Sequence, residues 1–235
     1  MSELTSPLLS KVAGIRHSFG TIAHPTPVGW IGDWPSLKAS WKQVHGTSNI
    51  ELTRTGETGL EADAFYTFTP GVPVSATHAD CVPVLLSRLD GRAVAAVHAG
   101  WRGTRARILQ KLWATLAARG EKEADWVASV GPSIGPCCYE VSPELAADFS
   151  TEFASLGSPG ARRSGLAVPR ERHLDLPSIN AAQLEEVGLR EVEVLRACTK
   201  CAVHPHGPNA GQPIFHSYRR EGKAWPQYST ILMPG

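Results

Sequence analysis

Residues 92–120, RAVAAVHAGWRGTRARILQKLWATLAARG, restrict the fold more than any other part of the chain. An apolar run rich in Ala and Val gives way, across two glycines, to a pattern of helical period. A strand must therefore hand over almost at once to a helix. Ile108, Leu109, Leu112, Trp113 and Leu116 recur three or four residues apart, Thr104 is expected to cap the helix, and Gly120 to end it. Upstream, the run 72–87 reads as a strand and Leu89-Asp90-Gly91 as a turn, so the two strands form a hairpin that carries Cys81 towards His98. Gly100 and Gly103 are expected to let the backbone turn tightly. The helix start then presents unpaired N–H groups beside the guanidinium of Arg102, an arrangement suited to an anion. A plain glycine turn, with Trp101 packing and Arg102 in solvent, satisfies the same pattern.

The remaining elements interleave strands and helices. ADAFYTF (62–68) and WVASV (126–130) read as strands, the latter buried. A helix is expected from Ser142, with Pro143 in its first position and Glu144 complementing the dipole, and another over 176–187. EVEVLRAC (191–198) and YSTILM (228–233) are further strands, 157–172 a surface loop, and 1–40 an irregular opening. With hairpins among the crossovers, the class is mixed α/β or α+β with at least one mixed sheet. No repeat or domain boundary is visible, so residues 1–235 are taken as one domain.

A net charge of +1 gives no electrostatic footprint for nucleic acid or an anionic membrane surface. No run approaches the ~18 apolar residues of a membrane span. The opening MSELTSPLLSKVAGI lacks the order of a signal peptide. Five cysteines, an odd number without the spacing of a disulfide framework, suggest reduced thiols in a cytoplasmic protein.

Three polar residues interrupt otherwise structural stretches: His45 in KQVHG, Cys81 in HADC and His98 at the end of the strand 92–99. His98 is either a satisfied core residue or a ligand. Two imidazoles and one thiolate suit Zn²⁺, and three protein ligands plus water is the pattern of a catalytic rather than a structural zinc. A second metal-like string, CTKCAVHPH, offers Cys198, Cys201, His204 and His206, although histidines two apart are unusual in such sites. Cys137 and Cys138 are adjacent, one expected to pack inward and the other elsewhere. Ser133 lacks a base partner in sequence and is assigned a turn or substrate contact.

KQVHG (42–46), EADAFYT (61–67), HADCVPVLL (78–86), AAVHAGWRGT (95–104), GPSIGPCCYEV (131–141) and SYRR (217–220) occur in that order. On these blocks the chain resembles the YfiH family, also labelled the laccase-domain or multicopper polyphenol oxidase family, with a human relative called FAMIN. The resemblance implies an α+β fold of layered mixed β-sheets with outer helices. It implies a zinc held by His45, Cys81 and His98, which are then also the catalytic residues. It further implies phosphorolysis of adenosine, inosine and S-methyl-5'-thioadenosine, with adenosine deamination alongside. Purine nucleosides and phosphate are then the partners, and Gln43, Asp80, Arg102, Ser133 and Arg219 the candidates for substrate contact. For phosphorolysis, Arg102, Arg219 and the helix N-terminus would hold phosphate; for deamination, a metal-activated water would attack C6 of adenine, with Asp80 or His78 moving protons. The chain departs from the family twice: GKAWPQYS follows SYRR where a Gly-Arg pair is usual, and HADC replaces TADC. His78 is read as a neighbour of the site, since it and Cys81 would face opposite sides of a strand.

Other readings remain at this stage. A copper-dependent polyphenol oxidase, with Cu²⁺ in place of Zn²⁺, would need several coppers. Of nine histidines, only His204 and His206 form a His-X-His pair, and the two methionines are Met1 and Met233. An amidase editing peptidoglycan precursors could use the metal, or Cys81 as a thiolate beside His98. A non-enzymatic zinc protein would need a fourth protein ligand. A monomer or small homo-oligomer is expected.

Overall fold

The computed structural model describes residues 3–156, 166–223 and 225–235. Its strands are β1 (Arg16–Ser18), β2 (Trp41–Lys42), β3 (Asn49–Glu51), β4 (Leu60–Glu61), β5 (Ala64–Thr67), β6 (Val74–His78), β7 (Val82–Arg88), β8 (Val94–Ala99), β9 (Trp126–Val130), β10 (Glu191–Val194) and β11 (Gln227–Leu232). The helices are α1 (Trp34–Leu37), α2 (Trp101–Arg105), α3 (Ile108–Ala118), α4 (Pro143–Glu152), α5 (Leu176–Glu186) and α6 (Tyr218–Glu221).

A six-stranded mixed sheet runs β10-β9-β7-β8-β5-β3, parallel at its two outer pairs and antiparallel between. An antiparallel sheet, β1-β11-β6, lies on one face of it, and β2-β4 form a short parallel pair. The twofold side-chain alternation of the central hairpin separates two cores. Val82, Val84 and Leu86 of β7, with Ala95, Val97 and Ala99 of β8, pack against Ile108, Leu112, Leu116 and Ile179 of the helices. Leu85, Val94 and Ala96 face the other way, onto Val74 and Ile231 of the smaller sheet. Both faces of β7 and β8 are thereby covered, which is why their sequences read as nearly continuous apolar runs. His98 shares its parity with Val94 and Ala96, so its ring enters the layer between the sheets. The architecture is α+β, with layered mixed sheets and outer helices.

Local chemistry accounts for most element ends. The Ser142 hydroxyl accepts the Leu145 amide at 3.2 Å with Pro143 in the first turn of α4, and Asp175 caps α5 through the Ser178 amide at 3.0 Å. The hairpin turn uses Gly91 at φ +69°. Four expectations need correction. The stretch 72–87 is two strands in two sheets, because Asp80, at φ +96°, reverses the chain between them. The helix expected from Thr104 is instead α2 and α3, broken at Arg107 in the left-handed region (φ +63°). Thr104 is no cap: its side chain and carbonyl receive Asn180 Nδ2 (3.0 Å) and Gln183 Nε2 (2.9 Å), which clamp α2 to α5. The strand expected over 191–198 ends at Val194. Of the loop expected over 157–172, residues 157–165 lie outside the described residues. Among the described residues no helix is long and apolar enough to cross a membrane.

Candidate functional site

The hairpin register places Val82 opposite Ala99 and Pro83 opposite His98, so Cys81 lies beside Gly100 where β8 ends. The third member of the site comes from the loop after β2, where His45 is held at φ +59°. Asp63, 2 % exposed at the entry to β5, joins the two histidines. Its Oδ1 accepts His98 Nδ1–H at 2.8 Å and the His45 amide at 3.0 Å. Its Oδ2 accepts the amides of Gly46 at 2.7 Å and Val44 at 3.3 Å. One carboxylate thus folds the KQVHG loop around itself and fixes the His98 ring with Nε2 left for another partner. This is how ligating histidines are oriented by carboxylates.

One donor atom from each of His45, Cys81 and His98 lies within 4.8 Å of the others. The two imidazoles meet edge to face, centroids 4.9 Å apart. The glycine between them is needed for close approach, not for a tight turn. Gly100 has φ −68° and ψ 170°, open to any residue, but a Cβ there would lie 3.1 Å from Cys81 Sγ, 3.3 Å from His45 Cδ2 and 3.6 Å from His98 Cε1. Gly103 sits within α2, where a Cβ would stand 3.1 Å from the Gly46 carbonyl.

Electrostatics favour a thiolate. Burial opposes it, but the imidazoles of His98 and His45 pull the Cys81 thiol down to about 6. Burial likewise opposes an imidazolium at His98, yet Cys81 and Asp63 raise that ring to about 9. Asp63 stays below the usual carboxylate range: burial works against the charge, and the His98 hydrogen bond and the Gly46 and His45 amides outweigh it. A borderline-soft divalent ion matches this donor set of one thiolate and two imidazoles. His45 is exposed while His98 is buried, so the cluster is open on one side.

That side is a cavity of about 560 Å³. Trp101, Tyr139, Tyr218 and Trp225 line it with aromatic residues, and Arg102 and Arg219 with guanidinium side chains. Arg102 stacks over Trp101 at 4.5 Å and Arg219 over Tyr139 at 5.3 Å. Burial first, and the neighbouring Cys81, push the Tyr139 phenol up to about 12, so it stays protonated. Gln43 also lines the cavity, but its amide spans the backbone of Thr77, donating at 3.0 Å and accepting at 2.8 Å. Asp80 Oδ1 accepts Thr199 Oγ1 at 2.6 Å and its Oδ2 the Arg219 amide at 2.7 Å, so the carboxylate ties Arg219 to Thr199. The ring of His78 is buried, which pushes it down to about 3, and Nε2 meets Ser229 Oγ at 2.8 Å. It stands beside the site at the end of β6, not across a strand from Cys81.

Ser133 is not brought to this cavity. It lines a separate hollow with Cys137 and Cys198, where its Oγ is buried without a hydrogen-bond partner. Because α2 is a single short turn, a long helix macrodipole is not available beside Arg102. Cys198 and Cys201 gather with Cys137 and Cys138, and His204 and His206 stand outside that group; both adjacent cysteines therefore turn the same way. Sequence reasoning missed Asp63, Tyr139, Tyr218 and Trp225. Asp63 carried a signal, since an acidic residue inside the apolar run ADAFYTF needs compensation when buried.

Residues 34–233 match the family described as multi-copper polyphenol oxidoreductase laccase, and the chain belongs to it. A purine nucleoside phosphorylase of Synechocystis is 32 % identical over 212 residues, covering 81 % of this chain and 78 % of its own length. Adenosine deaminase RL5, from an unknown prokaryotic organism, is 30 % identical over 173 residues, covering 70 % and 65 %. The crystal structure of the hypothetical protein YfiH of Bacillus licheniformis superposes with a TM-score of 0.72 at 22 % identity, covering 93 % of this chain and 92 % of the other; this likeness concerns the fold.

Proposed function

We propose that this member of the laccase-domain family is a zinc-dependent purine nucleoside phosphorylase acting on adenosine, inosine and S-methyl-5'-thioadenosine, with adenosine deaminase activity. The observation that carries the reading is the set of three donors, His45, Cys81 and His98, on one wall of a cavity whose other walls offer aromatic rings and two guanidinium groups. The names of the phosphorylase and deaminase relatives point the same way.

His45, Cys81 and His98 would hold the metal, with Asp63 fixing the His98 tautomer. Zinc, when bound, supplies a Lewis acid at one end of the cavity. The chain's own groups would do the rest. Aromatic rings line the space for the base, and Arg102 and Arg219 neutralise and orient phosphate. In phosphorolysis a phosphate oxygen bonds to the anomeric carbon as its bond to the purine nitrogen breaks, giving a pentose 1-phosphate and the free base. The Tyr139 hydroxyl, kept protonated, donates a hydrogen bond into the same space.

Met233 does not favour an oxidase, since it packs in the apolar core with Val72 and Ile231. Among the described residues the cluster gathers three donors, which favours a site with room for substrate over a closed structural one.

The test is release of free base from each nucleoside, with and without phosphate, alongside zinc content. His98→Ala should lose base release together with the zinc held by His45, Cys81 and His98; a variant keeping both removes the assignment. Oxygen uptake with a phenol, or release of an amino acid from a cell-wall precursor by the wild-type chain in place of base release, would replace it.

A further inference from the structure

The odd cysteine count resolves into one plus four. Cys81 belongs to the cavity; the other four lie together on a different part of the chain. Two are adjacent in GPCCYE after β9, and two form Cys-Thr-Lys-Cys after β10. Because β9 and β10 pair in parallel, both segments leave the sheet by the same edge. The Ser133 amide donates to the Ala197 carbonyl at 3.3 Å and the Thr199 amide to the Ser133 carbonyl at 3.0 Å, which carries the pairing into the cysteine segments.

All four sulfurs lie within 4.8 Å of one another, and Cys137 Sγ is 3.6 Å from Cys201 Sγ. A tetrahedron with metal–sulfur bonds of ~2.3 Å has sulfur–sulfur edges of ~3.8 Å. The cluster therefore has the span of one ion. An iron–sulfur cluster held by four cysteines would spread its thiolates farther apart. Hydrophobic packing does not explain the group: Cys137 and Cys201 are exposed and Cys138 and Cys198 half-buried, although free cysteine is among the residues most often buried. Instead Cys198 Sγ receives the Gly135 amide at 3.3 Å, and the amides of Cys201 and Lys200 also donate to it. Backbone N–H groups converging on a sulfur are what an electron-rich thiolate requires. The pair 198–201 has the two-residue spacing that lets one turn of chain supply two ligands.

The geometry points to a second metal centre, a closed site in which Cys137, Cys138, Cys198 and Cys201 hold one zinc ion. It is structural, since four protein thiolates leave no position for water or substrate. Its place in the fold gives it a task. Cys138 precedes Tyr139 of the cavity wall, and Thr199, inside the Cys-Thr-Lys-Cys turn, holds Asp80, which in turn holds the Arg219 amide. The ion would fasten the two segments that carry these contacts.

The test counts metal on the full-length chain, purified under reductant after expression with zinc. Cys198→Ser and Cys137→Ser should each lose about one zinc per chain relative to wild type, whereas His45→Ala should keep that ion. Cobalt loaded into His45→Ala should show the strong sulfur-to-cobalt absorption of a tetrathiolate, absent from the double variant with Cys198→Ser. Should the cysteine variants fail to fold, alkylation of the wild type mapped residue by residue decides: Cys137, Cys138, Cys198 and Cys201 all protected until a chelator is added support the site. Unchanged metal content in folded cysteine variants overturns it. So does equal alkylation with and without chelator, or a mass lighter by two hydrogens per disulfide in metal-free protein.

Discussion

Asp63→Asn tests the core of the site while almost preserving its shape. The native carboxylate accepts four hydrogen bonds, two on each oxygen, at 2.8 and 3.0 Å and at 2.7 and 3.3 Å. An asparagine has one acceptor oxygen. If that oxygen serves His98 and His45, the new NH₂ confronts the amides of Gly46 and Val44, and two donors lose their partner. If the amide flips, its NH₂ faces His98 Nδ1 and drives the ring to the tautomer with hydrogen on Nε2, the nitrogen left for a metal. Each charge-assisted bond contributes ~1.5–3 kcal/mol, so losing one strong and one long bond costs about 3 kcal/mol. For a chain of this length that lowers the melting temperature by roughly 6–12 °C. Zinc affinity should fall about 10–100-fold, as when an outer carboxylate is removed from a ligating histidine. Competition against a chromophoric chelator measures the affinity, and thermal unfolding of the metal-free protein measures the stability. Asp63→Asn with wild-type zinc affinity and an unmoved melting temperature would refute the claim that this carboxylate organises the site.

Two further outcomes are expected. Gly100→Ala should fold normally, because its backbone angles suit alanine, yet bind zinc poorly: its Cβ, 3.1 Å from Cys81 Sγ, displaces ligands by more than the about 0.2 Å that coordination tolerates. An unchanged circular dichroism spectrum with unchanged zinc affinity would contradict this. Burial holds His17 down to about 4, with Nε2 accepting the Ser6 amide at 2.8 Å. The unfolded chain therefore binds the extra proton first, and stability present above pH 6.5 is lost as pH falls towards 4, by about 2 kcal/mol between pH 7 and 5. Urea midpoints should show that dependence flattened in His17→Gln; parallel curves for the two proteins would count against it.

Where the sequence spoke clearly, the interactions were short in range. The β7–β8 hairpin was legible from its Asp-Gly turn, α4 from Ser142 and Pro143, and α5 from its extent after Asp175. His45, Cys81 and His98 were singled out because each interrupts a stretch that folding alone would have made apolar or plain. Nothing local marked the reversal at Asp80 that divides 72–87 between two sheets, or the break at Arg107. Arg107 is a residue that seldom adopts a positive φ, and at Asp80 aspartate tolerates one without requiring it, so the surrounding packing decides both.

Sequence by itself determined the β7–β8 hairpin, α4, α5 and which side chains could carry chemistry, because periodicity, caps and turns are decided within a few residues. Tertiary structure alone decided who meets whom. Strand order brings the loop after β2 to the end of β8, and one buried carboxylate, Asp63, binds both. The parallel pairing of β9 and β10 assembles four cysteines that the chain holds about sixty residues apart, while the nearby His204 and His206 stay outside. Such convergence depends on the path of the whole chain, and a linear string of residues does not encode a distance across it.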